Sequence, residues 1–299
     1  MNKSGFTREH LLLLVVLTLV WGVNWPVLKT GVEHYPPLTF RLLSMMLGLP
    51  LLGLVLKLRK VPFHVPRHEW PELFRLTFFN VLVWHALIIF TVRDLSSGRA
   101  GIIGYTMPVF SAVVGYVLYG TRLHRMGWLG LACAGVGVTL LMWHEFESIS
   151  GKPLAVLMGL IAACSWGIGT QLTRHTRMSV STLTLGFWST TLCTLWMAML
   201  ALWLEPFPWT NPPPMSWFGI VYNAVGIFAF AQTAWLLLAR TLPPLASSLS
   251  VMFIPVLGVF SGAYWRDEVL HWQDLAAVAL IVLAIAAVLW PGKRVPTPE

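Results

Sequence analysis

The chain has 299 residues, of which 57% are hydrophobic and only 11% charged, with a formal net charge of +8. A soluble domain carries roughly 25% charged residues, so a water-soluble fold of this composition would have almost no surface to present. The basic excess suggests a nucleic-acid partner only until its distribution along the chain is counted.

Uncharged runs occupy residues 10–28, 42–56, 76–92, 100–121, 126–142, 153–173, 178–204, 206–239, 241–265 and 275–292. Most reach the roughly 17 to 25 residues that cross a bilayer core at about 1.5 Å per residue. The spacing predicts an all-α integral membrane protein with ten transmembrane helices. The first run follows Lys3 and Arg8 as a secretion signal would. It is too long for one, carries Trp21-Gly22-Val23-Asn24-Trp25-Pro26, and ends at Lys29 without a small-residue cleavage pattern, so a retained helix is expected. Cys133, Cys164 and Cys193 all fall inside predicted helices, and their spacing implies neither a disulfide framework nor a metal site.

Alternate loops divide the basic residues unequally. Lys3, Arg8, Lys57, Arg59, Lys60, Arg67, Arg122, Arg125, Arg174, Arg177, Arg240, Lys293 and Arg294 fall on one side, 13 in all, against Lys29, Arg93, Arg99, Lys152 and Arg266, 5 in all, on the other. The positive-inside rule places both termini in the cytoplasm and makes the basic balance topogenic, with no nucleic-acid partner implied.

The stretch 143–153 is the clearest break, and it falls halfway. At an offset of 145, Trp21-Gly22 aligns with Trp166-Gly167 and Leu38-Thr39 with Leu183-Thr184. At 147, Arg93 aligns with Arg240 and Pro108 with Pro255. The chain therefore reads as a repeat over 1–142, a connecting loop over 143–153, a second repeat over 154–292 and a cytoplasmic tail over 293–299. Five helices per repeat is an odd number, so the second copy enters the membrane from the opposite face. Such inverted-topology pairs build secondary transporters, with the substrate site at the repeat interface near the midplane.

Polar groups deep in a span are costly in hydrocarbon and point to a cavity or a helix contact. The twelve carboxylates all sit in predicted loops or at helix ends, which argues against a buried acid as proton relay or as counter-ion to a cationic drug. Of nine histidines only His85 lies deep in a span, and its repeat partner is Gln232. The two are expected either to face a substrate or to bond neighbouring helices. Asn80 and Trp84 are one turn apart, as are Trp21 and Trp25 with Asn24 beside them. Aromatic walls with a few amides suit a small amphipathic solute, although the same stripes also serve as packing. Trp166, Trp235, Tyr105 and Met252 complete the candidate substrate-binding set. Pro108 and Pro255, mid-helix at equivalent positions, are candidate hinges. Arg41, a turn into the second helix, either snorkels outward or holds a substrate carboxylate, and snorkelling is the cheaper assumption. Small residues on the fifth and tenth helices suit close packing between the repeats or in a homodimer. No G-x-S-x-G, H-E-x-x-H or G-x-x-x-x-G-K-[ST] occurs, so no hydrolase, zinc or ATPase site, and no cofactor, is expected.

Trp21-Gly22-x-Asn24 with Lys29, then Pro36-Pro37 and Arg41, resembles the opening of the EamA-type branch of the drug/metabolite transporter superfamily. Met107-Pro108-Val109 with Gly120-Thr121-Arg122-Leu123 resembles its passage between helices 4 and 5, repeated at Ile254-Pro255-Val256 and Glu268-Val269-Leu270. Two departures from the pattern are Thr121 in place of the usual Glu, which Glu268 keeps, and the closeness of Arg41 to Pro37. The resemblance implies two inverted five-helix repeats, with helices 1–4 and 6–9 around a central cavity. It also implies export of amino acids, related metabolites or toxic organic compounds across the bacterial inner membrane. The lack of a buried carboxylate favours neutral or zwitterionic solutes. Multidrug efflux, and more distantly a membrane enzyme acting on a lipid-linked substrate, are the alternatives.

Overall fold

The computed structural model describes residues 8–121, 125–147, 151–205, 210–234 and 244–289. Among the described residues every regular element is helical. In chain order the helices are α1 (Arg8–Val32), α2 (Pro37–Leu58), α3 (Arg67–Asp94), α4 (Ser97–Tyr119), α5 (Arg125–Glu147), α6 (Pro153–His175), α7 (Thr182–Leu204), α8 (Pro214–Ala234), α9 (Pro244–Arg266) and α10 (Trp272–Leu289). Seven of these, α1 to α4 and α6 to α8, are long and apolar enough to cross a membrane. Helices α1, α2, α3 and α5 overrun their uncharged runs at both ends because a helix continues through the charged residues that anchor it at an interface. Thus α5 extends to Glu147, into the stretch assigned from sequence to the connecting loop.

Local chemistry sets the ends. Proline occupies the first turn of α2, α6 and α8, where a missing N–H costs nothing. Ser96 and Ser181 cap α4 and α7 through their hydroxyls, which accept from Arg99 N at 3.3 Å and Thr184 N at 3.1 Å. Gly120 closes α4 at φ 65°, a left-handed conformation that favours glycine.

The exterior differs from that of a protein built for water, while the largely apolar core also takes in polar groups. Leu12, Val117, Trp203, Tyr264 and Trp272 stand more than 60% exposed, while Thr39, Ser44, Thr77, Thr91, Asn223 and Arg41 are buried. An apolar exterior around a polar-containing interior is what a bilayer selects, since lipid tails compete with water for neither hydrogen bonds nor charge.

Within the bundle α1 packs on α9 and α8, α6 on α4 and α3, α2 on α7 and α8, and α5 on α10. Glycines set two of these approaches. A Cβ on Gly22 of α1 would lie 2.5 Å from Leu257 Cβ of α9, and one on Gly167 of α6 would lie 2.7 Å from Ser111 N and 2.9 Å from Phe110 Cβ of α4. The recurring Trp-Gly dipeptide therefore marks two like helix crossings.

Two helices contain π-turns, Phe78–Leu82 in α3 and Asn223–Ala231 in α8. A π-turn displaces carbonyls from the regular ladder, and such turns cluster at functional sites. At the first one Ser165 Oγ of α6 donates to Phe79 O at 2.8 Å. Gly169 sits so close that a Cβ would be 2.7 Å from both Asn80 N and Asn80 Cα. Backbone cannot yield there, so Gly169→Ala is expected to destabilise the protein by about 1 to 3 kcal/mol, the usual range for overpacking. A lower melting temperature in detergent would show it, whereas wild-type melting would show that the π-turn relaxes freely.

Candidate functional site

The π-turns flank a small cavity of about 30 Å³, bounded by Val81 and His85 of α3, Trp166 of α6, Gly186, Ser189 and Thr190 of α7, and Phe228 and Gln232 of α8. That is room for about two water molecules, well short of the roughly 300 Å³ at which ligand pockets begin, so a metabolite requires the surrounding helices to part. Its chemistry is mixed. Trp166, Phe228 and Val81 supply apolar walls, and His85, Gln232, Ser189 and Thr190 supply polar groups. The His85 and Phe228 rings lie 5.5 Å apart. Among the described residues His85 Nδ1 is buried and lacks a hydrogen-bond partner. Thr190 Oγ1 donates to Gly186 O at 2.8 Å and Ser189 Oγ pairs with Thr77 Oγ1 at 3.0 Å, so lone pairs on both hydroxyls remain able to accept.

Three residues expected from sequence, His85, Trp166 and Gln232, meet at this cavity. Trp84 stands edge-on to Trp166 with centroids 5.1 Å apart and backs the wall. Trp25 and Tyr105 lie deeper and are each 6% exposed, with rings 6.3 Å apart. Gly101, Gly104 and Gly258 press on the Trp25 indole, so it wedges α1, α4 and α9 together. Trp21 is half-buried on the core. Asn24 Oδ1 is buried and unpartnered among the described residues. Asn80 turns to α6, with Nδ2 at 3.4 Å from Thr173 Oγ1 and Oδ1 unpartnered among the described residues. Trp235 and the Met252 side chain lie outside the described residues.

The two prolines differ. Before Pro108 the helix breaks at Tyr105–Thr106, and the C-terminal segment restarts at Met107. Pro255 lies inside a continuous α9. Arg41 does not snorkel: it is 2% exposed.

Sequence reasoning missed Ser189 and Thr190. The signal was the hydroxyl run Ser189-Thr190-Thr191 in mid-span, but hydroxyls in helices commonly satisfy themselves on the preceding turn.

One end of the bundle is tied by charge. Glu205, after α7, accepts from Leu38 N at 2.6 Å, Thr39 N at 2.7 Å and Thr39 Oγ1 at 2.5 Å. Glu268, after α9, accepts from Ser97 N at 2.9 Å, Ser97 Oγ at 2.7 Å and Gly98 N at 3.3 Å. Each carboxylate thus holds the positive end of another helix. Arg99 bonds Asp274 at 2.7 Å and 3.3 Å, and Arg266 bonds Glu33 at 2.7 Å and Thr30 at 3.0 Å. Burial pushes the Glu33 carboxyl up, but the bond and charge of Arg266 outweigh this and hold it below its ordinary value. At the opposite end Ser179 N and Oγ donate to Glu69 at 2.8 and 2.7 Å, and Trp188 Nε1 donates to Phe63 O at 2.7 Å. No group of three or more metal-ligating side chains occurs among the described residues.

Apolar membrane-length helices around a partly polar cavity define a polytopic membrane protein of the transporter kind. The EamA-like transporter family matches residues 9–143 and 153–290, and the chain belongs to that family. It is 22% identical to the "Uncharacterized transporter YoaV" of Bacillus subtilis (strain 168), over 91% of this chain and 92% of that one. It is 25% identical to the "Uncharacterized inner membrane transporter YedA" of Escherichia coli (strain K12), over 95% and 94%. It is 27% identical to a "Probable amino-acid metabolite efflux pump" of Salmonella typhimurium, again over 95% and 94%. A crystal structure sharing 18% identity superposes with a TM-score of 0.67, covering 96% of this chain and 99% of its own, which shows a shared fold.

Proposed function

We propose that this protein is a secondary transporter that exports neutral or zwitterionic small metabolites, amino acids foremost, across the bacterial inner membrane by alternating access. The carrying observation is the cavity itself, where His85 and Gln232, 147 residues apart in sequence, line one space with hydroxyls and aromatic walls. Two deep polar residues at equivalent repeat positions both turn away from lipid, as a shared substrate site requires.

In this reading the chain forms ten transmembrane helices in two inverted repeats, over 1–142 and 154–292. Three features support it. The family matches the chain twice, Gly22 and Gly167 make like crossings, and exchanging α1–α5 for α6–α10 maps the α1–α9 pairing onto α6–α4 and leaves α2–α7 and α5–α10 unchanged. Both termini are cytoplasmic, which puts Glu205 and Glu268 at the extracytoplasmic end. Trp84, Trp25, Tyr105, Trp21, Asn24 and Asn80 support the cavity or enter it as it opens, together with Trp235 and Met252. The protein works as a monomer or homodimer without cofactor, and catalyses no covalent step. The efflux-pump relatives, alike over nearly their whole length, support an amino-acid substrate.

Liposomes containing the purified protein test this. Saturable flux of radiolabelled neutral amino acids, competed by unlabelled ones, is expected. Uptake of an organic cation with no response to amino acids would overturn the substrate assignment.

A further inference from the structure

Arg41 occupies a position that its own protein does not explain. It lies on α2, is 2% exposed, and is among the largest fully buried side chains of the molecule. Its Nη1 donates to Asn223 Oδ1 at 3.4 Å, the outer limit of a hydrogen bond, and its Nε is buried with no partner among the described residues. Among the described residues the other groups within its electrostatic reach are His85 and Cys193, neither of them a carboxylate. Glu205, which sits at the N-terminus of the same helix, is used by Leu38 and Thr39. A buried guanidinium without an anion costs several kcal/mol, and its place near the positive end of α2 adds to the cost. Within a membrane such a residue marks a functional pathway.

Arg41 stands behind the cavity wall, bonded to Asn223 on the same helix as the lining residues Phe228 and Gln232. His85 lines that cavity from α3. Cys193 is one turn beyond Thr190 on α7, and Asn223 opens the π-turn of α8 that carries Phe228. The Asn223 amide is oriented for Arg41, because its Nδ2 is spent on Gly219 O at 3.0 Å while Oδ1 faces the guanidinium. Planar, doubly donating guanidinium matches a carboxylate better than any other side chain does.

We propose that Arg41 is the carboxylate-binding residue of the transport site: the substrate carries a carboxylate, which pairs with Arg41 once the helices around the cavity part, while the rest of the molecule enters between His85, Trp166 and Gln232. This deepens the transporter reading and rests on it. The missing counter-ion of Arg41 is brought by the substrate, so the occupied site is electrically balanced and the empty one is not. Carboxylate-free amines and cations are then poor substrates, because they leave the guanidinium unpaired and add a second positive charge.

The test uses full-length protein in liposomes and three amino acids, phenylalanine, leucine and threonine, each beside its own carboxamide. Wild type is expected to move an amino acid at least tenfold faster than its carboxamide. Arg41→Gln should lower flux of the acid at least tenfold, to the level of the amide, and Arg41→Lys should keep an intermediate rate. Asn223→Asp gives an independent arm that does not remove the buried cation. It sets an internal carboxylate against Arg41, and should abolish acid flux while raising or preserving the melting temperature. Equal flux of acid and carboxamide through wild type, or wild-type acid flux through Arg41→Gln or Asn223→Asp, would overturn the assignment. Should the amides pass as well as the acids while His85→Leu slows both, the cavity stands and Arg41 alone loses its role. Should wild type move none of the probes, the amino-acid reading falls and this one with it.

Discussion

Gln232→Leu and His85→Leu are each expected to cut transport by roughly 5- to 150-fold while leaving the protein in the membrane at wild-type levels. Leucine nearly conserves the volume of glutamine, so the change deletes hydrogen-bonding capacity with little disturbance of packing. One lost hydrogen bond to a substrate in a site shielded from water is worth about 1 to 3 kcal/mol, and about 1.4 kcal/mol is tenfold. His85 meets Phe228 and Gln232 around one small cavity, so the double variant should be less than additive if both hold the same solute. Growth resistance to an inhibitory amino-acid analogue, paired with quantified membrane expression, measures this. Retained resistance in both single variants would mean that the pair only joins helices.

Glu205→Ala and Glu268→Ala are expected to loosen one end of the bundle. Each carboxylate accepts three donors at the start of another helix, and hydrogen bonds to charged groups contribute about 1.5 to 3 kcal/mol each. Glu205 ties α7 to α2, and Glu268 ties the α9–α10 connection to α4, so their loss favours separation of these pairs. Cys193 is fully buried on α7 near the cavity, which makes it a reporter. With Cys133 and Cys164 replaced by serine, labelling of Cys193 by a water-soluble maleimide should rise several-fold in either variant. Unchanged labelling with a merely lower melting temperature would show that the two caps stabilise the fold without gating it.

The seven membrane-length helices were legible because each helix is its own hydrogen-bonding unit in lipid and announces itself by the absence of charge over bilayer length. His85 was legible for the same reason, as an imidazole deep in an apolar run, and Gln232 followed from the offset that also aligns Pro108 with Pro255. Both line one small cavity with Trp166. Other expectations were redistributed. Trp25 looked like a cavity aromatic and is instead wedged against Gly101, Gly104 and Gly258, because a tryptophan at helical spacing reads the same whether it faces a solute or a glycine. Arg41 looked like a snorkelling residue, yet nothing in its local sequence told which face of α2 it occupies.

What the sequence by itself determined is the class of protein: apolar length fixes the membrane helices, charge asymmetry suggests their orientation, and the offset repeats suggest the duplication. What only the tertiary structure decided is which polar groups lack partners. The π-turns at Phe78–Leu82 and Asn223–Ala231 rotate the helix faces beyond them, so a regular 3.6-residue period cannot say where His85 or Gln232 points. Burial of Arg41 likewise depends on α7 and α8 closing over α2, a contact between segments about 150 to 180 residues away along the chain. Sequence records each residue's chemistry. Whether that chemistry is satisfied inside the fold or left for a solute is set by neighbours that only packing brings near.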